Sequence, residues 1–417
     1  MGFIDADSHV LETPDTWSFL DPSEEHFRPQ ILEFEPGSVI RLGARAKNTA
    51  MPRTPSKVWT AGDTWTRYMP PHGALSPHVN LFEPGMLDLT DPAKRVEALD
   101  ALGIDVQVLF STFYIGTELD NPLEEAALTR SYNRWVGESL TGYTDRLKWV
   151  LRPPLRMMDR ALAELEYGAQ HGAVGIHLRG QEHGYYLCDP YFFPLYEKAQ
   201  ELDLTILVHN GATIRRTVGT PIGNLVPQPP ALMTQLAGLM FGFYAVLGSD
   251  LSQRFPRLRW GFIEGGATFT LPIMQQHARR DMSIGVQPFL DPVHVTPEEL
   301  EGMNIYVALE TDEDIPYLAR QLGENTMIVG TDFGHNDLGS ELGAHQTVLA
   351  KPGLDPVVAR RIVDDNGRKL FNVDPSFRPA SEPRSTDIPH IQAVGGGPAH
   401  VLPSWVKERS VEQLQRV

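Results

Sequence analysis

Cysteine is nearly absent. Cys188 stands alone among 417 residues, so no disulfide can form within the chain and the redox compartment stays unconstrained. Cationic charge is also short: 36 Lys and Arg face 53 Asp and Glu, a formal net charge of −17. Such a surface is a poor partner for nucleic acid or anionic membrane. No run approaches the roughly 18 apolar residues of a membrane span. The start, MGFIDADSH, lacks a basic stretch followed by a long apolar one, so no secretory leader is expected. Ala6 breaks the myristoylation pattern. A cytoplasmic location is the expectation. Apolar residues at 41% and charged residues at 21% are ordinary for a globular chain. The length suits one large α/β domain with insertions, or two domains. With 34 Pro and 36 Gly, loops are numerous and partly rigid.

What is present first draws attention at residues 3–9, FIDADSH. A strand there places Asp5, Asp7 and His9 on one face, because side chains two apart share a face. Burying them without partners costs several kcal/mol. Two readings follow: a solvated N-terminal turn, or half of a metal site.

Residues 10–90 show little helical period. Rich in Trp and Pro, they read as an insertion with short elements that covers the mouth of the domain. Trp17, Trp59, Trp65, Tyr68 and Phe82 either line a pocket or form the insertion's own small core. From residue 91 the pattern is regular. Strands are predicted at 104–112, 147–155, 173–180, 204–211, 258–266, 304–310 and 327–335. Helices are predicted at 91–103, 121–143, 158–172, 190–203, 231–250, after strand 258–266 to about Asp281, 312–323 and 355–371. With the first strand this makes eight, alternating with helices, which implies a parallel sheet closed as a TIM (β/α)8 barrel. A doubly wound open sheet is the alternative, but no Gly-rich phosphate turn follows strand one. The expected division is a barrel over 1–372 and a Pro- and Gly-rich C-terminal extension over 373–417. The apolar helix 231–250 reads as a subunit interface or the wall of a greasy pocket.

Chemistry in such a barrel sits at the C-terminal ends of the strands. Those ends carry Asp7 and His9, then His177 and Arg179, His209, Glu264, Glu310, and finally Asp332 with His335 beyond it. Each has a structural alternative. His209 suits a core edge, Glu264 a pairing with Arg179, Asp332 a cap, and Glu310 a helix N-terminus in the run ETDED. Many independent strands placing an acid or histidine at one end argues for a shared site.

DADSH, ILVHNG, FPRLRWGFIEGG and VGTDFGH resemble the amidohydrolase superfamily, in the branch that includes aminocarboxymuconate semialdehyde and γ-resorcylate decarboxylases. The likeness spans residues 3–10 and 90–372. It implies a distorted TIM barrel holding one or two divalent metals, a small-molecule substrate, and a homodimer or higher homo-oligomer. The family's strand-one His-x-His becomes Asp7-x-His9 here. Its strand-five histidine matches His209, and its strand-eight aspartate matches Asp332. The implied ligand set is Asp7, His9, His209 and Asp332, for Zn²⁺ or Mn²⁺. One departure stands out: the usual strand-six histidine before Gly-Gly is Glu264.

The expected activity is hydrolysis or non-oxidative decarboxylation of a small carboxylated or carbonyl substrate. Glu264 or Asp332 would move protons, His177 or His335 would substitute for the missing histidine, and Arg179 would orient a carboxylate. If Glu264 and Glu310 also ligate metal, the set resembles carboxylate-rich di-iron centres. The fold has been adapted to a di-iron monooxygenase acting on diterpenoid-type substrates, and that is the alternative, with two Fe. A metal-barrel binding protein without catalysis is the third reading.

Overall fold

The computed structural model describes residues 2–35, 37–41, 48–50, 57–70, 83–211, 236–281, 295–335 and 340–379. Eight parallel strands follow one another around a single sheet: β1 (Ile4–Val10), β2 (Val106–Ser111), β3 (Leu147–Leu151), β4 (Ala173–Leu178), β5 (Thr205–His209), β6 (Trp260–Ile263), β7 (Ile305–Leu309) and β8 (Met327–Val329). The strands are nearly unbroken apolar runs, such as TILVH, WGFI and IYVAL. Strands covered on both faces need that composition. Beyond β8 the chain bridges back to β1 through Ser8 and Phe333, and His9 N–H donates to Phe333 O at 2.7 Å. The sheet thus closes toward the expected TIM barrel. Ile4, Ala6, Val106, Val108, Phe110, Leu207, Ile263 and Ile328 form the apolar cluster that fills it.

Helices alternate with the strands close to the predicted spans. Pro92–Leu102 stops at Gly103, whose φ of 73° suits a C-terminal glycine. Pro122–Ser139 is capped by Asn121, which accepts from Leu123 N–H. The helix expected at 231–250 is described as Ala237–Leu247, and its first residues lie outside the described ones. The final helical run, Pro356–Phe371, carries a π turn at Arg361–Asp365. Predicted strands six and eight overran. β6 stops at Ile263 and β8 at Val329, because Glu264 and Asp332 turn into left-handed backbone. Among the described residues no helix is long and apolar enough to cross a membrane.

The segment after β1 holds a three-stranded antiparallel sheet, Gln30–Glu33, Lys57–Ala61 and Thr64–Arg67. Trp17, fully buried, meets Trp59 and Phe113 edge-on, and Trp59 meets Tyr68. These aromatics form a small core that ties the insertion to the residues after β2. Trp65 packs with Val58. Phe82 and the tail from 380 onward lie outside the described residues.

One contact sets the seam between β8 and β1. Asp332 N–H donates to Asp7 O at 3.0 Å. A Cβ on Gly330 would lie 2.4 Å from Asp7 Cβ and 2.8 Å from Asp7 N. Only glycine allows this approach. Gly330→Ala is therefore expected to cost roughly 1–3 kcal/mol, the usual penalty of overpacking, and to part Asp7 from Asp332. Urea unfolding and metal content, measured on the same preparation, check both effects.

Candidate metal centre

β1 contributes the first donors. Strict alternation would set Asp5 beside Asp7 and His9, but the pairing of β1 with β2 shifts register between Asp5 and Ser8. The bulge separates them, which corrects the expected common face. Asp5 accepts instead from Gln107 Nε2 at 2.7 Å, Thr331 N at 2.8 Å and Thr331 Oγ1 at 2.6 Å. Asp7 and His9 remain together, with Asp7 Oδ1 3.5 Å from His9 Nε2.

His209 ends β5. Its Nδ1 lies 2.7 Å from Asn210 O, so an N–H there donates to the carbonyl and leaves the Nε2 lone pair free. That Nε2 is 3.4 Å from Asp7 Oδ1. Asp332 Oδ1 is 3.4 Å from His9 Nε2. These separations are long for hydrogen bonds. They suit donors around one ion, since ligands at about 2.0–2.2 Å sit about 3.0–3.5 Å from their neighbours. His9 is wholly buried, and Nε2 has no hydrogen-bond partner among the described residues. A lone pair left so costs about 1–3 kcal/mol, and a cation would satisfy it.

The protonation states fit as well. Burial, helped by the neighbouring His335, holds His9 well below the usual imidazole range, so the ring is neutral. Burial alone would raise Asp7, but the His209 and His9 imidazoles outweigh it and keep the carboxylate ionised. Neutral imidazole and ionised carboxylate are the ligand forms.

Glu264 and Asp332 share a rare backbone. Their φ values are 56° and 50°, in the left-handed region that non-glycine residues avoid. The surroundings hold both in place. Ser340 Oγ donates to Asp332 Oδ2 at 2.7 Å. The Glu313 carboxylate accepts from the N–H groups of Ala267, Thr268 and Glu310, which ties the loops after β6 and β7. Glu264 Oε2 then stands 3.4 Å from His209 Nδ1. Two overlapping donor groups result: Asp7, His9, His209 and Glu264, and His9, Asp332 and His335. The His335 ring stacks on His9 at 3.7 Å, with Nδ1 2.9 Å from Asp332 Oδ1 and Nε2 3.0 Å from Thr112 Oγ1.

The remaining expected residues fall elsewhere. His177 lies against His209 and Phe110, buried, and neither ring nitrogen has a hydrogen-bond partner among the described residues. Burial and the Arg152 charge keep it neutral. Arg179 does not reach Glu264. It donates to Glu182 Oε2 at 2.6 Å and to Thr117 O at 3.0 Å, and Arg152 binds the same carboxylate at 2.7 and 2.8 Å. Its fork is occupied inside the protein. Glu310 belongs to neither donor group. Burial, then repulsion from Glu313, Asp7 and Asp332, pushes its carboxyl up to about 8.

Sequence reasoning missed Glu182, although an acid three residues after Arg179 is a signal for such a pair. It also missed a narrow crevice beside the centre, lined by Leu11, Glu12, Trp59, Arg67, Met69, Thr112 and Phe113. Arg67 is exposed there and forms no ion pair among the described residues. Thr112 links the crevice to His335.

Comparison with known proteins agrees with this geometry. The amidohydrolase family model matches residues 63–373. A 2-amino-3-carboxymuconate-6-semialdehyde decarboxylase from Dictyostelium discoideum is 23% identical over 294 residues, covering 69% of this chain and 78% of its own. An amidohydrolase structure from Mycobacterium avium subsp. paratuberculosis K-10 superposes with a TM-score of 0.67 at 18% identity, covering 90% of this chain and 99% of its own. A dihydroxybenzoic acid decarboxylase from Polaromonas sp. JS666, with bound manganese and the inhibitor 2-nitroresorcinol, gives 0.55 at 16% identity, covering 89% and 97%.

Removing a donor should empty the centre. His209→Ala and Asp332→Ala are each expected to weaken divalent-metal affinity by at least the roughly 10–100-fold seen when a ligand's supporting partner is lost. Equilibrium dialysis followed by elemental analysis checks this. Full metal retention in either variant would refute the assignment.

Proposed function

The chain belongs to the amidohydrolase family, and from that premise we infer that it removes carbon dioxide, without oxidation, from a small planar carboxylate. The observation that carries the reading is the meeting of Asp7, His9, His209 and Glu264 at donor spacing, with Asp332 sharing His9. The decarboxylase names of the Dictyostelium and Polaromonas proteins support decarboxylation over hydrolysis, and the manganese of the latter supports a divalent ion. Zn²⁺ or Mn²⁺ on these donors would supply a Lewis acid for the substrate carboxylate and an adjacent oxygen.

The chain's own side chains account for the rest. Arg67, permanently charged, exposed and without an ion-pair partner among the described residues, draws an anionic substrate toward the centre. The buried Trp59 and Phe113, packed edge-on against each other, keep water out beside the centre. His177, neutral and with neither ring nitrogen hydrogen-bonded among the described residues, donates a ring N–H to a substrate oxygen. When the bond between carbon and carboxylate breaks, its electron pair stays on carbon and CO2 leaves. Glu264 then gives its carboxyl proton to that carbon and recovers one from solvent through its partly exposed side chain.

One observation favours a second reading. The trio His9, Asp332 and His335 brings donors close enough for a second ion, as a two-iron oxygenase requires. Against it, Glu310 stands in neither group, which leaves that ion short of the carboxylates such centres use.

Protein purified without chelator is expected to hold about one Zn or Mn per chain. It should release CO2 from hydroxylated benzoates or amino- or hydroxy-dienoic acids, and chelation should abolish release. Glu264→Gln should keep its metal and lose about 10²–10⁴-fold in kcat. Two Fe per chain with substrate-dependent oxygen uptake would replace this reading with the oxygenase.

A further inference from the structure

Arg95 and Arg179 are both wholly buried. Arg179 is bonded to Glu182. Arg95 forms no ion pair among the described residues. Its Nε donates to Gln107 Oε1 at 2.8 Å, and its Nη1 donates to His9 O at 2.9 Å and Met86 O at 3.4 Å. The guanidinium lies over the Phe333 ring, 4.8 Å from its centre. Nη2 has no hydrogen-bond partner among the described residues. A buried charge without a pair is costly, and a well-packed apolar side chain is often as stable in such a place. Stability therefore does not account for this arginine. What it touches is the centre, since His9 is a donor and Phe333 follows Asp332.

The contacts close a loop around Asp332. Gln107 Nε2 donates to Asp5, and Asp5 accepts from both the N–H and the hydroxyl of Thr331. The same hydroxyl oxygen accepts from Phe333 N–H at 3.2 Å. Phe333 O accepts from His9 N–H, and its ring returns to Arg95. Asp332 is thus held by the residue before it and the residue after it. His9 is held at both its N–H and its C=O. Reversing the Gln107 amide would set an NH2 group against the guanidinium, so the brace has one arrangement.

We propose that Arg95 is a positioning residue for the metal centre, whose guanidinium spans the seam between β8 and β1 and sets the spacing of His9 Nε2 from Asp332 Oδ1. That spacing is 3.4 Å. The proposal rests on the reading above only in taking a divalent ion at these donors, and the reaction does not enter. Arg95 acts through the His9 carbonyl and the Phe333 ring. Its flat fork donates in two directions while lying on a ring, which the point charge of a lysine does not do.

The test is titration of the chelator-stripped full chain with Co²⁺, followed by its visible absorption. Arg95→Ala is expected to weaken Co²⁺ binding about 10–100-fold, the range for losing a group that supports a metal ligand. It should also change the position or intensity of the cobalt bands. Arg95→Lys keeps the charge and loses the fork, and should bind about 10-fold more weakly. Arg368→Ala controls for destabilisation alone. That arginine is 4% exposed and bonded to Asp364 and to Asp105, which precedes β2 at the other end of the barrel from the donors. Its loss should lower the thermal midpoint of the metal-free protein and leave Co²⁺ affinity within about twofold. If Arg95→Ala does not fold, Arg95→Lys decides against the same control. Wild-type affinity or an unchanged spectrum in Arg95→Ala, full affinity in Arg95→Lys, or an equal loss in Arg368→Ala overturns the proposal. Those outcomes leave the ion and decarboxylation standing. A wild type that binds no Co²⁺ overturns the metal centre and this proposal together. A wild type that binds the ion, shows the Arg95 effects and releases no CO2 keeps Arg95 and removes the decarboxylase reading.

Discussion

Buried negative charge is the constraint on which the rest of the structure depends. Asp7 and Asp332 are almost wholly enclosed, and both stand within 3.5 Å of one histidine nitrogen, His9 Nε2. That histidine is neutral and cannot balance them. The field they create reaches Glu310, whose carboxyl retains its proton to about 8, partly because of them. Isolated carboxylates in a dry site cost several kcal/mol each. A divalent cation held by His9 and its neighbouring donors would resolve that cost and the orphaned lone pair together.

Much of the surrounding architecture serves to hold this arrangement. Gly330 lets β8 touch β1, and without that contact Asp332 would not share His9 with Asp7. The left-handed backbone of Glu264 and Asp332 is a cost of about 1–3 kcal/mol apiece, kept in place by Glu313 and Ser340. Behind His177, the Arg152–Glu182–Arg179 triad is sealed from solvent and bonded at 2.6–2.8 Å. Breaking such a triad is expensive because charges remain unpaired. It fixes the backbone at the mouth of β4, since Arg152 also binds His177 O. The histidine therefore presents its ring from a rigid strand.

The barrel was legible because its signal is local. Apolar runs of strand length recur between amphipathic segments, and a one-dimensional pattern suffices to count eight. The positions of Asp7, His9, His209 and Asp332 at strand ends were legible for the same reason. What failed was whatever depends on partners distant in sequence. The bulge in β1 turns on pairing with a strand some 100 residues away, so alternation wrongly grouped Asp5 with Asp7. Arg179 looked available because Arg152 and Glu182 were not seen to converge on it. Glu12 gave no signal at all, because a lone acid after a strand is ordinary. Its partners, Ser111 and Phe113, lie some 100 residues away.

The replacement of histidine by Glu264 changes what the centre can do. A histidine there could move a proton and remain neutral or positive. A glutamate is neutral or negative, so beside Asp7 and Asp332 it adds to the charge that a cation must balance. Its side chain retains 19% of its surface, so solvent can exchange protons with it. Glu264 and the neutral His177 both stand beside His209. What a barrel of this kind acts on is set by the loops and insertions around such a cluster, which is why strand-end residues alone do not name the substrate.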